Sequence, residues 1–186
     1  MQAERRLVKN TIIYMVGNIG SKILQMLILP LITAVLLTEE YGYYDLVITT
    51  ISLVQPVITL QLIEAMFRYL FSGTVEEKNR TTSTVIACLV VGAVVLAVAM
   101  VGINIVTDAI QFPLLIYLNY ISCIAFTFMQ KIARCEQKNI QVAVSGVINT
   151  IVMLAVQAIT LLSFQFRTDG MLLANCVSYL AAALYL

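Results

Sequence analysis

The stretch from Asp45 to Phe71, DLVITTISLVQPVITLQLIEAMFRYLF, limits the possible folds more than any other. It is long and apolar enough to cross a bilayer, yet it carries Glu64 and Arg68. Between Leu46 and Phe71 stand fourteen Leu, Ile, Val and Phe residues. At about −0.3 to −0.6 kcal/mol each they contribute about −6 kcal/mol to insertion, against roughly 2.5–3.5 kcal/mol for each charge at mid-helix. The segment can therefore insert together with its charges. Ionisable side chains inside a span face a bundle interior or a wet cavity, and they mark pathways.

The rest of the chain agrees with a membrane location. Of its 186 residues 61% are hydrophobic and 11% charged. Soluble domains sit near 45–50% and about 25%. Lipid forces the backbone to satisfy itself within helices or a closed barrel. A barrel would show alternating segments of about ten residues, whereas these runs are continuous. The expectation is an all-α membrane protein. Six spans are expected in a single transmembrane domain covering 1–186, at about 11–37, 45–71, 84–106, 113–130, 142–162 and 170–186. Seventeen residues is the short limit for the last, which reads as a truncated helix.

The first run is too long for a signal-peptide core of about 7–15 residues and is read as an uncleaved span. Thr11, Tyr14, Asn18, Lys22 and Gln25 recur three or four apart and share a helical face. Gly17 and Ser21 form a small-xxx-small pair beside it. Lys22 lies about 16 Å into this span. In the second span Pro56 predicts a kink or local unwinding, which makes it a hinge candidate. Gln61, Glu64 and Arg68 share a face, and Glu64 precedes Arg68 by four, the favourable order for a helical ion pair. The segments 38–44, 72–83 and 131–139 are read as polar loops, and Pro113 suits a helix first turn. The third span is nearly pure apolar and is expected to face lipid or pack structurally.

Basic residues set the orientation. Arg5, Arg6, Lys9, Lys78, Arg80, Lys131, Arg134 and Lys138, eight of the eleven, fall on alternate loops of one side. Arg167 falls on the other. The bias places the N-terminus and both basic loops in the cytoplasm.

The segment KNTIIYMVGNIGSKILQMLILPLITAVLLTEEYGYYDLVITTISLVQPVITLQLIEAMFRYLF resembles the start of the polysaccharide-biosynthesis (Wzx-type O-antigen) oligosaccharide flippases. The cues are the Gly/Ser-containing first helix, the ILPLITAVL end, the acidic Tyr-Gly element Glu39, Glu40, Tyr41, Gly42, and the run into Asp45-Leu46. That family belongs with the multidrug-and-toxin extrusion antiporters and lipid II flippases. The resemblance implies two six-helix lobes, twelve to fourteen helices in all, around a central cavity, of which this chain would supply one. A C-terminal lobe or a second copy would be the partner. It implies movement of polyprenyl-diphosphate-linked oligosaccharide across a bacterial cytoplasmic (inner) membrane, with membrane lipids around it and H+ or Na+ as a coupling ion. Cavity cations would meet the diphosphate, and Lys22 and Arg68 match that role.

Blander readings stand beside these. Lys22 is a cavity cation, a structural partner of Glu64 or a snorkelling side chain. Glu64 lines the path or pairs with Arg68. Arg68 meets substrate or snorkels to headgroups. Asn18, Gln25, Gln55 and Gln61 bind sugar or hold helices together. The alternatives for the whole chain are a cation-coupled multidrug antiporter of the same superfamily and an inactive N-terminal fragment. Enzymatic activity is not expected. The chain has no His, and no nucleophile set or phosphate-binding glycine loop appears. No cofactor, metal or nucleic acid is implied, and the scatter of Cys88, Cys123, Cys135 and Cys176 gives no metal-ligand spacing. Lys22, Glu64 and Arg68 are expected to turn towards one shared wet crevice.

Overall fold

The computed structural model describes residues 15, 19–20, 22–23, 26, 29–30, 32–72, 74–107, 110–163 and 167–186. Asn18 and Gln25 lie outside them, as do Thr11, Tyr14, Gly17 and Ser21. Described positions from Met15 to Val35 are helical. Six helices follow: α1 (Thr38–Ile58), α2 (Leu62–Ser72), α3 (Val75–Thr107), α4 (Pro113–Cys135), α5 (Asn139–Ser163) and α6 (Thr168–Tyr185). Among the described residues there is no strand. Three helices, α3, α4 and α5, are long and apolar enough to cross a membrane, and a fourth span results if α1 and α2 form one broken crossing. Among its described residues the protein is all-helical, and the length and apolarity of these helices are those of a membrane protein.

Capping explains why two of the expected loops are helical. The Leu37 N–H donates to the Glu40 carboxylate at 2.9 Å, so the acidic Tyr-Gly element forms the first turns of α1. At the start of α3 the Thr74 N–H donates to Glu77 Oε2 at 2.8 Å while the Glu77 N–H donates back to Thr74 Oγ1 at 3.4 Å. This reciprocal pair satisfies two amides that a helix start leaves without partners. It carries the charged stretch from Glu76 into α3. Pro113 opens α4 at the position where its missing N–H costs nothing. The preceding Phe112 holds φ 57°. α4 closes in a Schellman motif, with Lys138 N–H to Ala133 O and Gln137 N–H to Arg134 O, both 3.0 Å. Gln137 takes φ 60°, where glycine is usual.

The same motif separates α1 from α2, within the stretch expected to be the second span. Gln61 N–H reaches Pro56 O and Leu60 N–H reaches Val57 O, each at 3.2 Å. Leu60 and Gln61 sit at φ 48° and 54°. Two successive side chains in the left-handed region cost about 1–2 kcal/mol each. α2 leaves at 57° to α1. Pro56 itself remains helical, and the path changes three residues later, at Thr59.

α6 is the packing spine, wedged between α4 and α5 and touching α1. Gly170, Ala174, Ser178 and Ala182 recur every fourth residue and are all buried. Such a ridge of small residues lets helix backbones approach closely in lipid. A second contact point joins α3 to the break: a Cβ on Gly92 would stand 3.0 Å from both the carbonyl oxygen and Cγ2 of Ile58. Val47, Ile51, Met66, Val85, Tyr120, Phe128 and Leu172 form the main core, and Ile32, Leu36, Leu161 and Met171 a smaller one.

Candidate functional site

Polar side chains occur in two settings. The first is internal. Asn119 Nδ2 donates to Leu172 O at 3.1 Å, tying α4 to α6. Asn175 Nδ2 donates to the Tyr44 hydroxyl at 2.6 Å, tying α6 to α1. Ser122 lies 3.1 Å from Cys176, and the Cys123 thiol donates weakly to Gln55 Oε1 at 3.6 Å. Gln130 Nε2 donates to Ser145 Oγ at 3.5 Å across α4 and α5. Buried hydroxyls of Thr150, Thr160, Ser145 and Ser178 donate to carbonyls three or four residues back. The bonds between helices fasten them, each worth about 0.6 kcal/mol and at most about 1.7 in a membrane, whereas the last four stay within their own helix and only satisfy the buried hydroxyls.

The second setting is the surface of the broken span. Asp45, Thr49 and Ser52 fall at i, i+4 and i+7 of α1 and are exposed. On α2, Glu64 and Arg68 are exposed one turn apart, and Gln61 is exposed within the break. Lys22 is exposed on the helical segment ahead of α1. The three charges thus lie on the outside of this bundle. The apolar groove between α1, α3 and α4 and two hollows beside α2 are lined by other residues. Any shared crevice would have its far wall outside the described residues.

Glu64 has a partner that the sequence reading did not consider. Lys131 Nζ of α4 stands 2.6 Å from Glu64 Oε1. The same ammonium lies 5.8 Å from the centroid of the Phe67 ring, a cation–π distance. Lys131 is the less accessible member, its side chain 16% exposed against 58% for Glu64. The polar run 131–139 places it in a loop by sequence, whereas α4 continues to Cys135 and carries it. At the opposite end of the bundle Arg167 Nη1 pairs with Glu40 Oε1 at 2.6 Å. There the Tyr43 hydroxyl both donates to Gln111 O and accepts from Gln111 N–H, each at 2.9 Å.

The chain matches no family model, no curated protein and no solved structure. The site is therefore read from its own geometry. Asn119, Asn175 and Tyr44 were visible as isolated polar residues in or beside apolar runs, which is the available signal for them. Glu64 gave that signal, but its pairing with Lys131 gave none, because the partners are 67 positions apart and Lys131 falls in a segment that reads as a polar loop. Among the described residues no three Cys, Asp or Glu side chains converge on one point.

Proposed function

We propose that the chain forms a membrane-transport lobe of six spans, with the segment at 11–37 as the first and α6 as the last. The end bearing Glu64, Lys131 and Arg68 lies at the cytoplasmic face of a bacterial inner membrane, following the positive-charge bias. The cargo is a polyprenyl-diphosphate-linked oligosaccharide for cell-surface polysaccharide.

The observation that carries this reading is the polar surface of the broken span. Asp45, Thr49 and Ser52 on α1 and Glu64 and Arg68 on α2 are exposed. Facing hydrocarbon, a charge costs about 2.5–3.5 kcal/mol at mid-span and less towards the ends, so a polar face of this length suits a watered cavity. Arg68 and Lys22 supply positive charge there, and in a medium of low dielectric a diphosphate is held far more strongly than in water. The left-handed break places main-chain polar groups in the same span, an arrangement tolerated at membrane depth only inside protein or beside water. The resemblance in residues 9–72 supplies the substrate class.

The test replaces Arg68 by Ala, and separately Lys22 by Ala, in the gene at its own locus. Surface polysaccharide should fall while the amount of protein in the membrane stays constant. Unchanged polysaccharide in both variants overturns the cavity role. Increased drug tolerance on overexpression, with polysaccharide unaffected by either variant, replaces this reading with the antiporter.

A further inference from the structure

Between α2 and α3 lies an open hollow of about 300 Å³. Its floor is apolar, with the buried side chains of Met66 on α2 and Val85 on α3. Its rim is polar, with Arg80, Thr81 and Thr84 of α3 and Tyr69 of α2. The rim can be reached from outside, since Arg80, Thr84 and Tyr69 are exposed and Thr81 is half-buried.

Two rim groups are available to a ligand. The Thr84 hydroxyl already donates to Arg80 O at 2.9 Å. Among the described residues the Arg80 guanidinium and the Thr81 hydroxyl have no hydrogen-bond or ion-pair partner. No carboxylate lines the hollow. The acids nearest in sequence to its walls are Glu64, Glu76 and Glu77, and of these Glu64 is held by Lys131 and Glu77 by Thr74. The second hollow beside α2 differs, because Lys78 and Glu136 line it together and their charges offset.

Depth indicates what stands opposite Arg80. The apolar run of α3 from Thr84 to Val106 spans about 34 Å, close to the roughly 30 Å of bilayer hydrocarbon. Arg80 lies one turn, about 6 Å, before that run. The headgroup layer is about 5–8 Å thick on each side, since a bilayer of about 40–45 Å encloses that hydrocarbon. The guanidinium therefore stands at phosphate level, and Val85 at the top of the acyl chains. A guanidinium is a planar fork of donors that matches a phosphate bidentately. Basic pockets between helices at the membrane surface take anionic headgroups in this way. A zwitterionic headgroup fits less well, because its ammonium finds no carboxylate here and meets Arg80 instead. The volume equals roughly ten waters at about 30 Å³ each, enough for a phosphate and its glycerol but not for a whole lipid.

We propose that this hollow binds the headgroup of one anionic phospholipid of the phosphatidylglycerol kind. Arg80 holds two phosphate oxygens, Thr81 donates to the same phosphate, and the first methylenes of an acyl chain rest on Met66 and Val85. The site does not depend on the cargo proposed above.

The chain contains no Trp, so Tyr69→Trp gives a single fluorophore at the rim. The full chain carrying it would be placed in phosphatidylcholine vesicles and quenched with dibrominated phosphatidylglycerol or dibrominated phosphatidylcholine. Half-maximal quenching should need about fivefold less of the phosphatidylglycerol, the weight of one basic side chain near an anionic surface. Val98→Trp, on the exposed side of α3, should show no preference. Adding Arg80→Gln should abolish the preference at position 69, whereas Lys138→Gln at the same end of the bundle should leave it intact. The two-lipid comparison on the chain that keeps Arg80 holds even if the Gln variant fails to fold. Equal quenching by both lipids at position 69 overturns the proposal. So does a preference that survives Arg80→Gln, or one lost equally with Lys138→Gln, which marks diffuse surface attraction only. Displacement of the brominated lipid by polyprenyl phosphate but not by unlabelled phosphatidylglycerol also overturns it and assigns the hollow to the cargo.

Discussion

α3 and α6 are both helices of one membrane bundle, and they are used in opposite ways. α3 is nearly uniformly aliphatic beyond its first turns and stands outside: Val94, Val98 and Val101 are 55%, 68% and 59% exposed. α6 carries Asn175, Ser178 and three alanines in a row, and it stands inside, with Ala174, Ser178 and Ala182 fully buried. In water the greasier helix would be buried. In lipid the tails are as apolar as valine, so apolar surface gains nothing by leaving them. Close packing and interhelical hydrogen bonds decide what goes inside, and those favour small and polar residues.

The widest separation between the two helices is expected from added bulk. Ala174→Leu in α6 should cost about 3 kcal/mol, the upper part of the overpacking range. Val98→Leu in α3 should stay within about 0.5 kcal/mol. Reversible denaturation in mixed micelles measures both, and equal costs would erase the distinction drawn here.

A smaller effect tests the one place where α3 is tightly held. Gly92→Ala puts a methyl 3.0 Å from the Ile58 carbonyl. It should destabilise by about 1–2 kcal/mol. Gly102→Ala, with nothing within 4 Å, should instead gain about 0.5–1 kcal/mol from helix propensity. Melting temperatures of the two variants should move in opposite directions.

Polar fastening comes next. Asn175→Leu removes the 2.6 Å bond to Tyr44 and should cost about 0.6–1.7 kcal/mol. Tyr44→Phe should cost a similar amount, and the double variant no more than either alone. Additive losses would show that the two side chains do not act together.

The smallest effect concerns the accessible ion pair. A double-mutant cycle with Glu64→Gln and Lys131→Gln should give a coupling of about 0.2–1 kcal/mol that weakens with salt, because Glu64 is more than half exposed. A coupling of several kcal/mol, insensitive to salt, would mean that the pair is shielded from water in the membrane.

Much of the fold could be read in advance. The apolar runs marked the helices, and Pro113 marked the start of α4. Three ends were missed for one reason: the segments 38–44, 72–83 and 131–139 were read by polarity. Glu40 caps a helix that begins in the first, Thr74 and Glu77 cap one that begins in the second, and α4 extends through Lys131 into the third. The site was less legible. Glu64 and Arg68 stood out as charges in an apolar run, but the partner of Glu64 did not, and α6 read only as a short, truncated span.

The sequence by itself determined the solvent of this protein and its helical character. Insertion free energy is close to a sum over neighbouring residues, and lipid leaves a crossing chain only helices or a closed barrel, whose alternating pattern these continuous runs lack. Only the tertiary structure decided which helix is enclosed, where the second span breaks course, and that Lys131 meets Glu64. Those outcomes depend on shape and contact between distant segments, and the hydropathy of a segment holds no information about either.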